Sequence, residues 1–264
     1  MKYKMITIDV DDTLLNDDAE VTPQTIEALR AAVDLGVIVT LATGRMFASA
    51  KQIAKRIELN VPLITYQGSL VKNLLDEEVL YERNIPVEVG AFLFKYAMNH
   101  EIHLQGYYND ELISPMENQW LREYASLSRV PYRIEPDLAV LAGKSHTKLV
   151  FIDDPKKLDL VARDLAGLVG DQVHITKSKP HFLEIVHKEA TKGHAVRFLA
   201  DYFGCSLEQV IAIGDSWNDR EMIEVAGLGV AMGNAVPALK DVADFVTKSN
   251  NEDGVRYVIE RFVL

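Results

Sequence analysis

Short apolar runs that end in Asp, Thr or Gly recur through the first seventy positions, separated by stretches in which apolar residues return every three to four positions. Met5 to Val10 reads as a first buried strand. "VTPQTIEALRAAVDLG" then reads as a helix, with Thr22 as its N-cap, Pro23 in its first turn, an apolar face through Ile26, Leu29 and Val33, and Gly36 as its stop. "VIVTLATG" predicts a second strand, "MFASAKQIAKRIEL" a second helix and "VPLITYQG" a third strand. The order β-α-β-α-β predicts a parallel sheet covered by helices.

That rhythm breaks at "SLVKNLLDEEVLYER", which reads as a hairpin, and a different texture follows. Residues 84–186 mix helices, one through "VEVGAFLFKYAMNH" and another from Pro155 to Val169, with strand-like "IHLQGYY", "HTKLVFIDD", "QVHITKS" and "FLEIV". From Thr191 the first texture resumes, through the helical "TKGHAVRFLADYFG", the apolar strand "VIAIG", short strands in "GLGVAM" and "DFVTK", and a last amphipathic helix. The expected organisation is an α/β core of residues 1–83 and 187–264 that carries an inserted α+β domain over residues 84–186.

Composition narrows the function classes. A formal charge of -11 without a basic stripe argues against a nucleic-acid binder. Cys205 is the only cysteine, which removes any intrachain disulfide or multi-cysteine zinc site. No apolar run approaches the length of a membrane span, and charge returns too soon in "MKYKMITID" for a signal-peptide core, so a cytoplasmic protein is expected.

Ligands of open parallel sheets bind beyond the carboxyl ends of the strands. The predicted strand exits carry "DVDDT", "ATGR", "YQG" and "GDSWND". Five aspartates and one glutamate fall between Asp9 and Glu20. A calcium loop would place Asp9, Asp11, Thr13 and Glu20 at its ligand positions, but Leu14 stands where such a loop needs glycine and the preceding segment is strand-like. A solvated turn ahead of a helix suits Asn16, Asp17, Asp18 and Glu20, and does not suit Asp9 at the end of an apolar strand. In extended backbone residues i and i+2 point the same way, so Asp9 and Asp11 could converge while Val10 faces away. A hard oxygen site with few carboxylates is what Mg2+ prefers, its shell completed by water and phosphate oxygens.

Taken together, "DVDDT", "ATGR", Lys192 of "TKG" and "GDSWND", in that order, resemble the four motifs of the haloacid dehalogenase superfamily of aspartate-dependent phosphohydrolases. The insertion between the second and third motifs resembles the cap of its Cof-type sugar-phosphate phosphatase branch. The resemblance implies that Asp9 is the nucleophile and Asp11 the general acid and base. It implies that Thr43, Gly44, the Val10 N–H, Lys192 and Asn218 hold the phosphoryl group. Mg2+ would sit on Asp9, the Asp11 main-chain carbonyl and Asp215, with Asp219 orienting that shell from behind.

The implied substrate is a small phosphorylated metabolite, with a phosphomutase or a non-catalytic phosphate or metal sensor as the alternatives. Gln67 stands where the branch often has asparagine, and "VHKEATKG" lacks the usual Pro and Gly before the lysine, so the role of Gln67 and the hinge near His187 stay open. His181 and Glu184, on the strand leading back from the insertion, are a further open case. "AGKS" at 142–145 lacks the earlier glycine of a phosphate loop, and "GDS" at 214–216 lacks the pattern of a serine esterase.

Overall fold

In the computed structural model, which describes residues 2–58, 61–128 and 130–264, the first apolar run forms strand β1 (Met5–Ile8), every residue of which is buried. Helix α1 (Pro23–Asp34) starts where Thr22 Oγ1 accepts the Thr25 N–H at 3.2 Å and ends ahead of Gly36, whose φ of 84° few other residues adopt. Its buried face is Thr25, Ala28, Leu29 and Ala32, whereas Val33 is exposed. The face is therefore rotated from the one expected, because small alanines allow a closer approach than Val33 would.

Strand β2 (Ile38–Leu41), helix α2 (Phe47–Arg56) and strands β3 (Leu63–Thr65), β4 (Leu70–Lys72) and β5 (Val79–Glu82) follow. Leu59, where the second helix was expected to end, lies outside the described residues. The middle of the chain forms α3 (Val87–Asn99), β6 (His103–Tyr108), β7 (Glu111–Ser114), α4 (Gln119–Ser128), β8 (Tyr132–Ile134), α5 (Leu138–Ala142), β9 (Lys148–Ile152), α6 (Pro155–Val169), β10 (Val173–Lys179) and β11 (Phe182–His187). The last part supplies α7 (Lys192–Tyr202), β12 (Val210–Gly214), α8 (Arg220–Val225), β13 (Leu228–Ala231), α9 (Pro237–Lys240), β14 (Phe245–Val246) and α10 (Gly254–Phe262).

Two compact units result. One contains the residues up to Gly44, Ala50–Tyr81 and Thr191–Leu264, and the other Arg45–Ser49 and Glu82–Ala190. The first is built on a parallel sheet in the order β14-β13-β12-β1-β2. Ile8 lies opposite Ile213 on one side and Leu41 on the other, so β12, β1 and β2 end level with one another. A parallel bridge from Ala42 to Ile64 brings the end of β3 beside them. This α/β architecture puts four strand exits in one row.

The second unit holds a six-stranded sheet, β10-β11-β9-β6-β7-β8, antiparallel apart from the β7–β8 pair. Its Leu104, Leu149, Phe151, Leu183 and Ile185 share a core with Val89 and Leu93 of α3 and with Leu158 and Leu165 of α6. No helix among the described residues is long and apolar enough to cross a membrane.

One local expectation is corrected. Strand β1 stops at Ile8, because the chain winds into a wide turn in which Leu15 N–H donates to Val10 O at 2.9 Å and Asp12 takes φ 60°. Asp9 and Asp11 therefore lie past the end of the strand instead of on it: Asp9 is 6% exposed and Asp11 lies at the surface.

Candidate active site

Asp9 is placed by the sheet itself. Its N–H donates to Ile213 O at 2.9 Å, which carries the β1–β12 ladder one residue past the strand and leaves the carboxylate at the strand exit. A buried carboxylate needs a cation or several donors, and Lys192 provides the cation. Its Nζ lies 2.5 Å from Asp9 Oδ1 and 2.6 Å from Asp219 Oδ1, and all three side chains are buried. Thr191 caps α7 by accepting the His194 N–H at 3.2 Å, which fixes Lys192 as the first residue of the helix. A cation is disfavoured at that end of a helix dipole, and the two carboxylates offset the penalty.

Asp219 is held from its other oxygen, where Oδ2 accepts the N–H groups of Asp215 at 2.9 Å and Ser216 at 3.1 Å. Gly214 makes this possible, since a Cβ there would lie 2.6 Å from Asp219 Oδ2. Ser216 caps the same turn by accepting the Asp219 N–H, which gives "GDS" a structural role. Asp215 is half-buried and its Oδ1 accepts the Thr13 hydroxyl at 2.8 Å. Thr13 was weighed from the sequence only as a calcium-loop position and was given no part in the phosphoryl site, although it closes the "DVDDT" motif.

Oxygens of Asp9, Asp215 and Asp219 all lie within 4.8 Å of one another. Burial pushes the Asp9 carboxyl well above the usual carboxylate range; Lys192 opposes the shift, while Asp219, Asp215 and Asp11 add to it. Burial, and after it Asp219, pushes Asp215 up to about 7 against the opposing effects of Thr13 and Lys192. For Lys192 burial alone would lower the ammonium, and Asp219 and Asp9 more than reverse this, so it stays cationic. Three carboxyl groups thus surround a single ammonium. An all-oxygen donor set that outnumbers its only cation fits a hard divalent cation, which would take the place of the protons. Asp9 and Asp215 are the better placed donors, because both oxygens of Asp219 are already engaged.

A second group of residues meets at the neighbouring exits. Thr43 is buried; its N–H donates to Ile64 O at 2.9 Å and its carbonyl accepts the Gln67 N–H at 3.1 Å. Gln67 Oε1 accepts from Asn218 Nδ2 at 3.0 Å, and its Nε2 lies over Gly44, where a Cβ would approach it to 2.4 Å. Val10 is buried at the start of the turn after β1.

Other residues weighed in the sequence make local contacts of their own. Asn16 Oδ1 accepts the N–H groups of Asp18 and Glu20 in an exposed turn. His181 belongs to the other unit, is exposed, and meets Asp153 O at 3.1 Å through Nδ1. Glu184 is buried in that unit beside Lys148, at 3.4 Å.

The family model for haloacid dehalogenase-like hydrolases matches residues 6–259. The candidate phosphatase YxeH of Bacillus subtilis (strain 168) is 36% identical over 99% of both chains. The 5-amino-6-(5-phospho-D-ribitylamino)uracil phosphatase YwtE of the same organism is 30% identical over 98% of both. A crystal structure of a Thermotoga maritima protein superposes with a TM-score of 0.88 at 36% identity, covering 99% of this chain and 98% of the other.

Proposed function

Because the chain belongs to the haloacid dehalogenase-like hydrolases, we propose that it is a Mg2+-dependent phosphatase of small phosphorylated metabolites of the sugar- or polyol-phosphate kind. The observation that carries this reading is the buried Asp9 carboxylate at a strand exit, held by Lys192 beside Asp215.

Asp9 attacks phosphorus in line with the ester oxygen. The P–O bond to the leaving group breaks, and an aspartyl-phosphate forms. Asp11 protonates the departing alkoxide and later takes a proton from the water that hydrolyses the acyl phosphate. Its exposure suits this second task, since a surface carboxylate is open to water. Thr43, Gly44, the Val10 N–H, Lys192 and Asn218 hold phosphoryl oxygens, and Lys192 keeps Asp9 fixed. Asp9, the Asp11 carbonyl and Asp215 would hold the cation, with Asp219 steadying Asp215 and Lys192 from behind. When bound, the cation neutralises charge on the carboxylates and the phosphoryl group.

The leaving group is assigned from a relative: YwtE is named for a phosphorylated ribityl compound, and a phosphorylated polyol or sugar is carried over on that likeness. Selection among such compounds is assigned to the inserted unit. The test is phosphate release from a panel of sugar, polyol, nucleotide and cofactor phosphates, with Mg2+ and with chelator. Mg2+-dependent release from polyol or sugar phosphates supports the reading. No release, or transfer to a second sugar hydroxyl that requires a bisphosphate activator, overturns it in favour of a sensor or a mutase respectively.

A further inference from the structure

Gln67 sits in the turn after β3, where the backbone takes a course few side chains adopt. Tyr66 has φ 52°, Gln67 φ 62° and Gly68 φ 101°. Two successive non-glycine residues in the left-handed region persist only where the surroundings impose it. Three contacts do so here. The Gln67 N–H donates to Thr43 O at 3.1 Å, and the Ser69 N–H donates to Tyr66 O at 3.1 Å. Gly68 packs so close to the start of α7 that a Cβ on it would stand 2.2 Å from the Thr191 carbonyl oxygen. The turn is wedged between two of the four motifs.

The side chain that emerges from this turn joins the fourth motif to the second. Gln67 is 3% exposed. Its Nε2 lies over Gly44 and its Oε1 accepts from Asn218. Donation of one Nδ2 hydrogen to Gln67 sets the plane of the Asn218 carboxamide, and therefore the direction of the other hydrogen.

We propose that Gln67 is the positioning residue of the phosphoryl grip: it ties the turn after β2 to the turn before α8 and aims Asn218 at the phosphoryl oxygens. The inference rests on the phosphatase reading for the identity of the ligand. Reach is the property that matters. Asparagine at this position is shorter by one methylene, about 1.5 Å, and falls short of spanning Gly44 and meeting Asn218 together.

The test is Gln67→Asn, because asparagine tolerates left-handed backbone better than glutamine. A purely local turn role predicts a variant at least as stable as the native protein that binds phosphate equally well. The positioning role predicts an unchanged thermal midpoint together with affinity for inorganic phosphate, titrated in Mg2+, weakened about fivefold or more. It further predicts a KM for a phosphate ester raised by a similar factor with kcat little moved, and no further loss when Gln67→Asn is added to Asn218→Ala. Unchanged phosphate affinity, or losses that add in full to those of Asn218→Ala, would overturn it.

Should Gln67→Asn fail to fold, Gln67→Met reads the same coupling, because it keeps the length of the side chain and removes the carbonyl oxygen that accepts from Asn218. Binding of inorganic phosphate keeps the two readings apart. A native protein that binds phosphate and hydrolyses no ester removes the phosphatase reading and leaves this test decisive, whereas one that binds no phosphate removes both.

Discussion

Lys192 Nζ stands 2.5 Å from Asp9 Oδ1, across 183 positions of sequence. The pair joins the first strand exit to the start of α7, and Asp219 Oδ1 accepts from the same ammonium at 2.6 Å. Removing the cation would leave two buried carboxylates facing each other.

Lys192→Met is therefore expected to lower stability by about 3 kcal/mol near neutral pH, as for a broken buried ion pair. The loss should shrink in acid, where the stranded carboxylates are neutralised by protons. Urea unfolding at two pH values checks both the size and the trend, and phosphate release should fall as well.

The raised Asp215 and Asp9 carboxyls fix the sign of a pH effect on the metal-free protein. Asp215 is pushed from 3.8 up to about 7, and Asp9 moves in the same direction. Between those values the folded state binds more protons than the unfolded state. This contribution to stability is present in acid and is lost as pH rises through about 7. In chelator the thermal midpoint should fall between about pH 5 and about pH 8, after allowance for the other titrating groups. Added Mg2+ should restore most of the loss at the higher pH, because it replaces the protons on those carboxylates.

Two glycines of the site should respond differently to alanine. At Gly68 the new Cβ would meet the Thr191 backbone at 2.2 Å with φ at 101°, so neither partner can yield cheaply. Gly68→Ala is expected to cost more than about 2 kcal/mol and to displace the start of α7. At Gly44 the Cβ would meet only the end of the Gln67 side chain. Gly44→Ala should cost less than about 1 kcal/mol while still raising KM. Denaturant midpoints measured beside steady-state kinetics separate the two cases.

Thr13→Val keeps the shape of a buried residue and removes the hydroxyl that donates to Asp215 Oδ1. Loss of such a supporting contact is expected to weaken the apparent affinity for Mg2+ roughly tenfold. Titration of activity with Mg2+ reads this directly, and an unchanged curve would show that Asp215 does not need Thr13.

The strand exits were legible because β1, β2 and β12 are short apolar runs punctuated by Asp, Thr and Gly, a pattern that only buried parallel strands need. Thr22 and Pro23 announced α1 through local hydrogen bonding and a fixed φ. The face of that helix was misjudged, because its packing is decided by how close Ala28 and Ala32 let it approach, which no hydropathy pattern encodes. β7, β8 and α5 are too short to show any period. Asp9 and Lys192 could each be singled out by motif, but their contact depends on the whole sheet lying between them. Thr13 and Gln67 were given no part in the site for the same reason: each meets a partner distant in sequence.

The central claim is that Asp9 takes the phosphoryl group. The direct measurement mixes the protein with a phosphate ester and Mg2+, quenches in acid on the turnover timescale, and maps the phosphoryl group among the peptides by mass spectrometry. The account predicts one phosphoryl group on Asp9 in the native protein and none in Asp9→Asn, which also releases no phosphate. Release of phosphate by the native protein with Asp9 never modified, or release by Asp9→Asn at the native rate, would contradict it.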